Sequence, residues 1–356
     1  MRFIIEYEGS VCVVKKYAIA IDLGATNLRV ALVDVEGRKI LHKISERTKI
    51  SEGAEAITNQ VVENVRKILR CNRIDLTKVL GIGIGAPGPL DLKMGGIKRA
   101  VNIPYEFVPL TEPLKEEFRL PTILLNDANA AALGEWVFGA GDIMKTDYLT
   151  FITISTGIGG GIIDGGRLIT GVNGNAGEIG CMVVDYRGKL RCGCGRYGHW
   201  QAYSSGAGIP NYIRYLAEIG EVKIGKDSML YRRSSGLKNL SAKLLYECAK
   251  GGDKASLEIV EKIAEINAAG VGQVINAYNP EVITFGGPIV LRNVELTLGK
   301  MIPKLNNYAV NRIPKVIPSP LGEDVVIYGA LAALIISQQE ERVSRKIRNT
   351  KVMALK

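Results

Sequence analysis

Residues 17–45 read YAIAIDLGATNLRVALVDVEGRKILHKIS, and their pattern decides the fold of the chain. An apolar run ends at Asp22, a turn with Gly24 and Thr26 follows, and a second apolar run leads through Glu36 and Gly37 into a third. Apolar runs of this length, separated by turns that contain glycine, are typical of strands in a meander. The stretch therefore predicts sequential strands, with Asp22 beside the first turn.

The strand–turn–strand pattern occurs a second time in residues 148–169, YLTFITISTGIGGGIIDGGRLI. Here an apolar run leads into the turn sequence STGIGGG of residues 155–161, and another apolar run follows. Two distant copies of one supersecondary unit are typical of a duplicated lobe, whereas a solenoid repeats its unit many times in succession. We therefore expect two similar lobes.

Helices alternate with further strands along the chain. Residues 54–70 place Ile57, Val61, Val65 and Ile68 on one helical face. Residues 79–90 predict a buried strand that runs into a Gly-Pro loop, and residues 121–126 predict a strand that passes into an alanine-rich helix. Strands that alternate with helices indicate an α/β architecture.

These elements predict two lobes with one boundary near residue 136. We assign residues 1–135 to a small α/β lobe and residues 136–334 to a large α/β lobe that carries a cysteine-rich loop at 177–206. Residues 325–348 predict a long C-terminal helix, and the C-terminal helix at 335–356 is expected to return to the small lobe.

The composition limits the possible classes of protein. The 356 residues, 47% of them apolar, suffice for two domains. No apolar run is long enough to span a bilayer and no signal-peptide pattern occurs, so we expect a cytoplasmic protein with no membrane partner. The net charge is +10, but six lysines and arginines within 342–356 account for most of it and leave +4. We therefore predict a solvated helical tail rather than a specific nucleic-acid partner.

The two glycine-containing turns are candidate phosphate sites. Glycine permits close approach of a phosphate to exposed backbone N–H groups, and the Asp22 carboxylate is a ligand type that suits Mg²⁺. The alternative at Asp22 is a plain hairpin turn, and the alternative at residues 155–161 is a glycine-rich turn without a ligand. The occurrence of two similar turns favours phosphate binding.

Asn126 and Asp127 follow a strand of apolar residues. A carboxylate at the carboxyl end of a strand often faces a ligand-binding crevice, where it can accept a hydroxyl proton as a general base. The alternative is that Asn126 or Asp127 caps the alanine-rich helix that follows, and both interpretations can hold together.

The loop at 177–206 contains a candidate metal site formed by Cys181, Cys192, Cys194 and His199. Three thiols and one imidazole suit a tetrahedral Zn²⁺ ion and leave no open position for catalysis. The alternative, four unliganded small residues in a glycine-rich loop, is disfavoured by the close spacing of three thiols. We predict a structural zinc site.

Several motifs, in order from Tyr17 to the C-terminal helix, resemble the ROK sugar kinases of the actin/hexokinase-like superfamily. The motifs are DLGATNLRVAL, GIGAPGPL, NIPYEFVPL, LNDANAAALGE, STGIGGGII, GNAGEIG, the cysteine loop, NPEVITFGGP and LGEDVVIYGALAAL. The resemblance implies a two-lobed, ribonuclease H-like fold with an active-site cleft between the lobes.

The resemblance also implies roles for individual residues. The sugar is bound by Asn126, Asp127, Glu178 and Gln201, and Asp127 is the base that accepts the proton of the sugar 6-hydroxyl. ATP phosphates and Mg²⁺ are held by Asp22, Gly24, Thr26, Ser155, Thr156, Gly157, Gly159 and Gly160. Gly286 and Gly287 line the adenosine site.

The cysteine loop departs from the family pattern, which is Glu-Ile-Gly-His, then Cys-x-Cys, then Cys-x-Glu. Here Cys181 replaces the histidine, His199 replaces a cysteine, and Gln201 replaces the glutamate. The set of three cysteines and one histidine is kept, so zinc binding is compatible with the exchange. The family histidine also contacts a sugar hydroxyl through its second nitrogen, which a zinc-bound thiolate cannot do. Recognition of the sugar near C1 and C2 is therefore expected to differ.

The resemblance predicts an ATP-dependent hexose kinase that forms sugar 6-phosphate from glucose or a related hexose. An enzyme that accepts a broad range of hexoses is included in this prediction. An N-acetylhexosamine kinase, acting on N-acetylglucosamine or N-acetylmannosamine, is the alternative. A transcriptional repressor is disfavoured because only residues 1–16 precede the first motif, too few for a helix-turn-helix domain. A sugar-binding regulator without catalysis is disfavoured because Asp22 and Asp127 are present. We expect hexose and ATP as ligands and a homodimer or larger homo-oligomer.

Overall fold

The computed structural model describes residues 5–8 and 11–353, with side chains for residues 15–340. The strands are β1 (Ile5–Glu8), β2 (Val11–Val14), β3 (Tyr17–Leu23), β4 (Asn27–Asp34), β5 (Lys39–Arg47), β6 (Val79–Ala86), β7 (Leu90–Asp91), β8 (Gly96–Lys98), β9 (Phe107–Pro109), β10 (Thr122–Asn126), β11 (Leu149–Ile154), β12 (Ile158–Asp164), β13 (Arg167–Leu168), β14 (Val282–Gly286) and β15 (Lys315–Pro318). The α-helices are α1 (Ala54–Cys71), α2 (Thr111–Phe118), α3 (Asp127–Phe138), α4 (Ala140–Met144), α5 (Gln201–Ser204), α6 (Ile209–Glu218), α7 (Met229–Arg233), α8 (Ala242–Lys250), α9 (Lys254–Tyr278), α10 (Pro288–Leu291), α11 (Val294–Met301) and α12 (Val325–Met353). Short 3₁₀ helices cover Leu76–Lys78, Ile179–Cys181, Ile302–Asn307 and Gly322–Asp324.

The chain divides into two compact units. The first contains the residues up to Phe138, the segment Thr170–Asn175 and the residues from Asp324 onward, and the second contains Gly139–Ile169 and Ala176–Glu323. The unit boundary at Phe138 is the end of α3, so that helix stays whole. The segment around Asn175 belongs to the first unit because its side chain binds the backbone of Leu90, accepting from the N–H at 2.9 Å and donating to the carbonyl at 3.1 Å.

Each unit is built on a five-stranded mixed sheet, and the two sheets have the same topology. In the first the strand order is β10-β6-β3-β4-β5, and in the second it is β13-β12-β11-β14-β15. In both, three sequential strands form an antiparallel meander. A later strand pairs in parallel with the first strand of the meander, and another pairs in parallel with that added strand. The expectation of two similar lobes, based on the repeated strand–turn–strand pattern, is confirmed.

The two faces of the first sheet carry side chains of different size. Along β3, Ile19 and Ile21 join the buried cluster that includes α1, whereas Ala18 and Ala20 join the cluster formed with α12. Successive residues of a strand point to opposite faces, so one strand supplies both sets. The predicted helical face of α1, from Ile57 to Ile68, is buried as expected.

Small residues allow α12 to lie directly against the sheet and against α3. A Cβ atom added to Gly83 of β6 would come within 2.3 Å of the carbonyl oxygen of Ala330 in α12. A Cβ added to Gly329 would come within 1.8 Å of the carbonyl oxygen of Ala130 in α3. Both distances are far below any ordinary contact, so backbone meets backbone at these two crossings.

The predicted C-terminal helix is confirmed. It begins at Val325, directly after the 3₁₀ turn Gly322–Asp324, so residues 325–334 belong to it as well as residues 335–353. Ile327, Leu331 and Leu334 lie at helical spacing and are buried on the first sheet. The side chains of the basic tail, predicted to be a solvated face, lie outside the described residues.

The second unit has two buried clusters, one formed between its sheet and helices and one formed mainly between helices. Ile152, Ile154 and Phe285 of its sheet pack with α9 and α11 in one buried cluster, and residues of α6, α8 and α9 form another. Within the described part of the chain, no helix has both the length and the apolar character that a membrane crossing requires.

The contact at Gly83 gives a prediction about stability. Gly83→Ala should lower the free energy of unfolding by about 1–3 kcal/mol, because the added methyl group must displace the α12 backbone. Gly299→Ala is the matched control: Gly299 is exposed within α11, and its Cβ would approach only the Glu295 side chain. The control should keep or raise stability in urea denaturation, and equal stabilities of the two variants would contradict the packing described here.

Candidate functional site

Asp22 lies at the end of β3 in the first unit, next to the turn that leads to β4. Its Oδ2 atom is 3.0 Å from Nη1 of Arg29, the residue opposite it in the β3–β4 ladder. Burial raises the pKa of the Asp22 carboxyl to about 6, although the neighbouring Arg29 guanidinium lowers it. The structure thus holds a partly desolvated acid with one positive partner, an environment in which a further cation is favourable.

The turn after Asp22 contains two backbone donors that have no acceptor among the described residues. Its base is closed by a hydrogen bond from the N–H of Gly24 to the carbonyl of Asn27 at 2.9 Å, and the Thr48 hydroxyl donates to the Gly24 carbonyl at 2.6 Å. Within the described residues, the N–H groups of Ala25 and Thr26 have no acceptor in the chain. A turn with free N–H groups suits an anionic ligand such as a phosphate.

The equivalent turn of the second unit, between β11 and β12, has the same features. The N–H of Ser155 donates to the carbonyl of Gly157 at 2.9 Å, which closes the turn, and Thr156 at its tip is exposed. No acceptor for the N–H groups of Thr156 and Gly157 occurs among the described residues. Both turns predicted from the sequence therefore contain N–H groups that have no acceptor among the described residues.

Two of the predicted phosphate-binding glycines lie in β12 itself. Gly159 pairs with Thr153 and Gly160 pairs with Ile152 in the β11–β12 ladder. A Cβ on Gly160 would come within 2.5 Å of the Ile179 side chain, so close packing accounts for this glycine. In this structure the exposed turn is limited to residues 155–157.

Gly286 and Gly287 lie at the same edge of the second sheet as this turn, because β14 runs parallel to β11 and Gly286 pairs with Thr153. Gly287 has a φ of 86°, which other residues rarely adopt, and a Cβ there would come within 2.4 Å of the Ile154 carbonyl oxygen. Glycine therefore lets the chain pass close to the end of β11 before α10 begins.

Asn126 and Asp127 lie at the junction of β10 and α3 in the first unit. The Asn126 Oδ1 accepts hydrogen bonds from the N–H groups of Ala128 and Asn129 at 3.0 and 3.2 Å, so the predicted helix cap is confirmed. Asp127 Oδ1 accepts from the N–H of Ala128 at 2.8 Å. Both side chains are half-buried. The positive end of the helix dipole favours negative charge at this position.

Asp22 and Asp127 belong to one edge of the first sheet. Strands β3, β6 and β10 are parallel neighbours, with Asp22 opposite Gly85 and Asn126 opposite Ala86. The carboxyl ends of parallel strands meet at one edge, and ligands in open α/β sheets bind there. The sheet register thus groups two acids that are distant in sequence.

The predicted metal ligands come together in the second unit. The ligand atoms of Cys181, Cys194 and His199 all lie within 4.8 Å of one another, and the Cys194 Sγ is 3.2 Å from the His199 Nδ1. Cys192 is buried, and its Sγ lies 3.1 Å from the Nε2 atom of Gln201, which is also 3.5 Å from the Cys181 Sγ. The structure therefore brings three of the four predicted ligands, Cys181, Cys194 and His199, into one group, and Cys192 lies beside this group through its contact with Gln201.

The pKa values of this cluster are shifted in different directions. Although burial raises it, hydrogen bonds with the Arg196 backbone and with Cys192 and Cys181 lower the pKa of Cys194. Burial and the nearby thiols of Cys194 and Cys192 raise the pKa of Cys181 to about 12. Burial, followed by the charge of Arg196, lowers the pKa of His199, so that its imidazole is neutral. A divalent ion would be bound with release of thiol protons and could use the imidazole directly.

Glu178 and Gln201, the two remaining predicted sugar ligands, flank this cluster. Glu178 precedes the 3₁₀ helix Ile179–Cys181 and reaches solvent, yet partial loss of hydration raises its pKa. Gln201 begins α5, and its Oε1 accepts a hydrogen bond from the Ile158 N–H at 3.3 Å. Both polar atoms of the Gln201 amide thus have partners in the second unit.

Arg29 was missed from the sequence, although a signal was present. It is the one charged residue in the apolar run 28–33, a position where an unpaired charge would be costly. The backbone donors that hold the β11–β12 turn, at Gly206 and Ala207, carry no such signal because any residue type supplies an N–H group.

Comparison with known proteins agrees with this arrangement. The family model described as ROK family matches residues 18–338. The glucokinase of Aeropyrum pernix is 36% identical over 320 residues, which are 88% of this chain and 95% of that protein. The glucokinase of Pyrobaculum calidifontis is 33% identical over 315 residues, 88% of this chain and 93% of that protein.

A solved structure extends the similarity to three dimensions. The ROK family glucokinase from Streptomyces griseus, in complex with glucose and AMPPNP, matches with a TM-score of 0.73 at 30% identity and covers 88% of this chain and 98% of that chain. The predicted fold class, an α/β two-lobed actin/hexokinase-like fold, is confirmed.

Proposed function

The chain belongs to the ROK family, and we propose that this ATP-dependent sugar kinase transfers the γ-phosphate of ATP to the 6-hydroxyl of glucose or a related hexose. The observation that supports the chemistry most directly is the shared edge of the first sheet. There β3 supplies a carboxylate for the phosphate–metal side of the reaction, and the β10–α3 junction supplies a carboxylate for the sugar side.

In the proposed reaction, Asp127 accepts the proton of the 6-hydroxyl as the sugar oxygen forms a bond to the γ-phosphorus. The bond from that phosphorus to the β–γ bridging oxygen breaks, and ADP leaves. Asn126 orients the start of α3 through its cap and contacts sugar hydroxyls through its amide. Phosphoryl transfer needs little covalent chemistry from a protein, so positioning and charge stabilisation complete the requirement.

The free N–H groups of Thr156 and Gly157 are proposed to bind nucleotide phosphates, with Gly287 beside the adenosine. Asp22 is proposed to hold Mg²⁺, because a carboxylate oxygen is a ligand type that this hard ion prefers. Bound with ATP, Mg²⁺ would offset charge on the phosphates. Arg29 holds the Asp22 carboxylate in one orientation.

The cysteine cluster is proposed to hold a structural Zn²⁺ ion. Two sulfurs and an imidazole are already grouped, and Cys192 is proposed as the fourth ligand. Three thiolates and an imidazole form a donor set that zinc prefers and leave no open position for substrate. Zinc would fix the loop at 177–206, which has Glu178 near its start, and Glu178 is proposed to contact the sugar. The contact of Gln201 with the sugar stays a prediction.

An N-acetylhexosamine kinase is the second candidate. The observation in its favour is that Gln201, at the family position of a sugar-binding glutamate, has both polar atoms engaged within the second unit. Cys181, at the family position of a sugar-binding histidine, offers no second nitrogen. Weaker contacts near C1 and C2 leave room for a bulkier group.

A panel of sugars tests the proposed specificity. Initial rates with ATP, coupled to ADP formation, should give a higher kcat/KM for glucose than for N-acetylglucosamine and N-acetylmannosamine, because Glu178 remains as a charged contact. Mannose and fructose would measure the breadth of the range. A preference for an N-acetylated sugar would replace the first candidate by the second, and no turnover with any sugar would contradict both.

Asp127→Asn should lower kcat by about two to four orders of magnitude, because the amide cannot accept the hydroxyl proton. Asn retains a capping oxygen, so the melting temperature and ATP affinity should change little. Asp164→Asn, which alters an exposed residue at the end of β12, serves as the control and should keep full activity. Near-normal turnover of a folded Asp127→Asn enzyme would exclude Asp127 as the base.

Protein purified without added zinc should contain about one equivalent of the metal per chain. Cys194→Ser should lose most of it, because a hydroxyl is a poor substitute for a thiolate ligand, and its melting temperature should fall. Cys71→Ser, which changes an exposed free cysteine of α1, is the control and should keep the metal. Equal metal content in both variants, measured by plasma emission spectrometry, would contradict the zinc site.

A further inference from the structure

Gln201 joins the cysteine cluster to the β11–β12 turn. Its Nε2 atom lies 3.1 Å from the Cys192 Sγ and 3.5 Å from the Cys181 Sγ. Its Oε1 accepts a hydrogen bond from the N–H of Ile158, the residue directly after the turn, at 3.3 Å. One side chain therefore contacts two sulfurs at one end and the turn at the other.

The backbone that follows Gln201 reinforces this link. The N–H groups of Gly206 and Ala207 donate to the carbonyls of Ser155 and Thr156 at 2.7 and 3.1 Å. The carbonyls of Ser155 and Thr156 point toward Gly206 and Ala207. Because C=O and N–H point in opposite directions in a trans peptide, the N–H groups of Thr156 and Gly157 point away from that segment. The segment 201–207 and the turn are thus joined by three hydrogen bonds, one of which involves a side chain that also contacts sulfur.

Both halves of an amide are needed for this double contact. The carbonyl oxygen accepts from Ile158, and the NH₂ group donates to sulfur, which is favourable when the sulfur is a metal-bound thiolate. A carboxylate at position 201 could accept a hydrogen bond from Ile158, but it would place a further negative charge beside the thiolates. A glutamine therefore suits a loop that has a cysteine at position 181.

We propose that Gln201 is a positioning residue that couples the cysteine-bound metal to the phosphate-binding turn. By holding the Cys181 and Cys192 sulfurs and the Ile158 N–H at once, it transmits the order of the metal loop to the N–H groups of Thr156 and Gly157. This inference rests on the zinc site and on the phosphate role of the turn proposed above. It requires zinc and nucleotide to strengthen the binding of each other by the same factor.

The coupling is measurable as a cycle of four binding constants. The affinity for Mg²⁺-ADP is measured by calorimetry on the full chain, with zinc bound and after removal by a chelator, and zinc affinity is measured by competition with a chromophoric chelator. In the wild-type protein, zinc removal should weaken Mg²⁺-ADP binding at least about 5-fold, the lower range of typical couplings. In Gln201→Met, which has a similar length and no hydrogen bonds, this factor should fall below about 2.

Two further variants separate a specific link from general damage to the loop. Gln201→Glu keeps the acceptor for Ile158 but loses the donor to sulfur, so zinc affinity should fall about 10- to 100-fold, as for other lost partners of metal ligands. Gln273→Met is the matched control, because Gln273 donates to the Val183 carbonyl of the same loop and contacts no sulfur in the described chain. It should keep both the zinc affinity and the coupling.

The outcomes distinguish this inference from the proposed function. Wild-type coupling in Gln201→Met, or an absence of coupling in the wild-type protein, would overturn the positioning role. An absence of stoichiometric zinc would overturn it together with the zinc site, while sugar phosphorylation would remain open to its own assay. Intact coupling without phosphorylation of any sugar would leave the positioning role standing and remove the kinase proposal.

Discussion

The close approach of α12 to β6 is the contact on which the geometry of the first unit depends. Gly83 has no side chain, and a Cβ there would overlap the Ala330 backbone at 2.3 Å. Strand β6 lies between β3 and β10, which carry Asp22 and Asn126. The position of β6 against α12 therefore sets the positions of these two strands. Helix α3, which begins at Asp127, meets α12 at Gly329. A helix far along the chain therefore determines where the proposed base stands.

In the second unit a buried tryptophan has the corresponding role. Trp200 is fully buried, its Nε1 donates to Asn267 of α9 at 2.8 Å, and its ring covers Gly270, where a Cβ would come within 2.3 Å. Trp200 lies between His199 and Gln201 in the sequence. Packing of its ring on α9 therefore positions both neighbours, the predicted metal ligand His199 and Gln201, whose amide contacts the β11–β12 turn. Rigid support of this kind is what a site needs to hold its geometry.

Local patterns in the sequence predicted the parts of the fold that local physics determines. Strand meanders, the buried face of α1 and the helix cap at Asn126 depend on neighbouring residues, and the cysteine cluster depends on ligands within one loop. The helix that starts at Val325 follows from its own apolar pattern, whereas the burial of Ile327, Leu331 and Leu334 on the first sheet depends on tertiary packing. The pairing of Arg29 with Asp22 depends on the register of β3 and β4. The contacts of Gln201 depend on the path of the cysteine loop back to the β11–β12 turn. Residue spacing in the sequence reveals neither.

Charge explains why the departures from the family pattern at 181 and 201 belong together. Three thiolates around a divalent ion give a net charge of −1, and in this loop two of the sulfurs lie within 3.5 Å of the Gln201 amide. With an imidazole at position 181, a carboxylate at 201 would face one sulfur fewer. The net charge at the metal is −1 in both patterns, so the placement of the thiolates makes the difference. With Cys181 present, a carboxylate in the place of the Gln201 amide would lie close to two thiolates, next to a turn proposed to bind polyphosphate. An amide removes this repulsion and supplies a donor, so the change at 201 compensates for the change at 181.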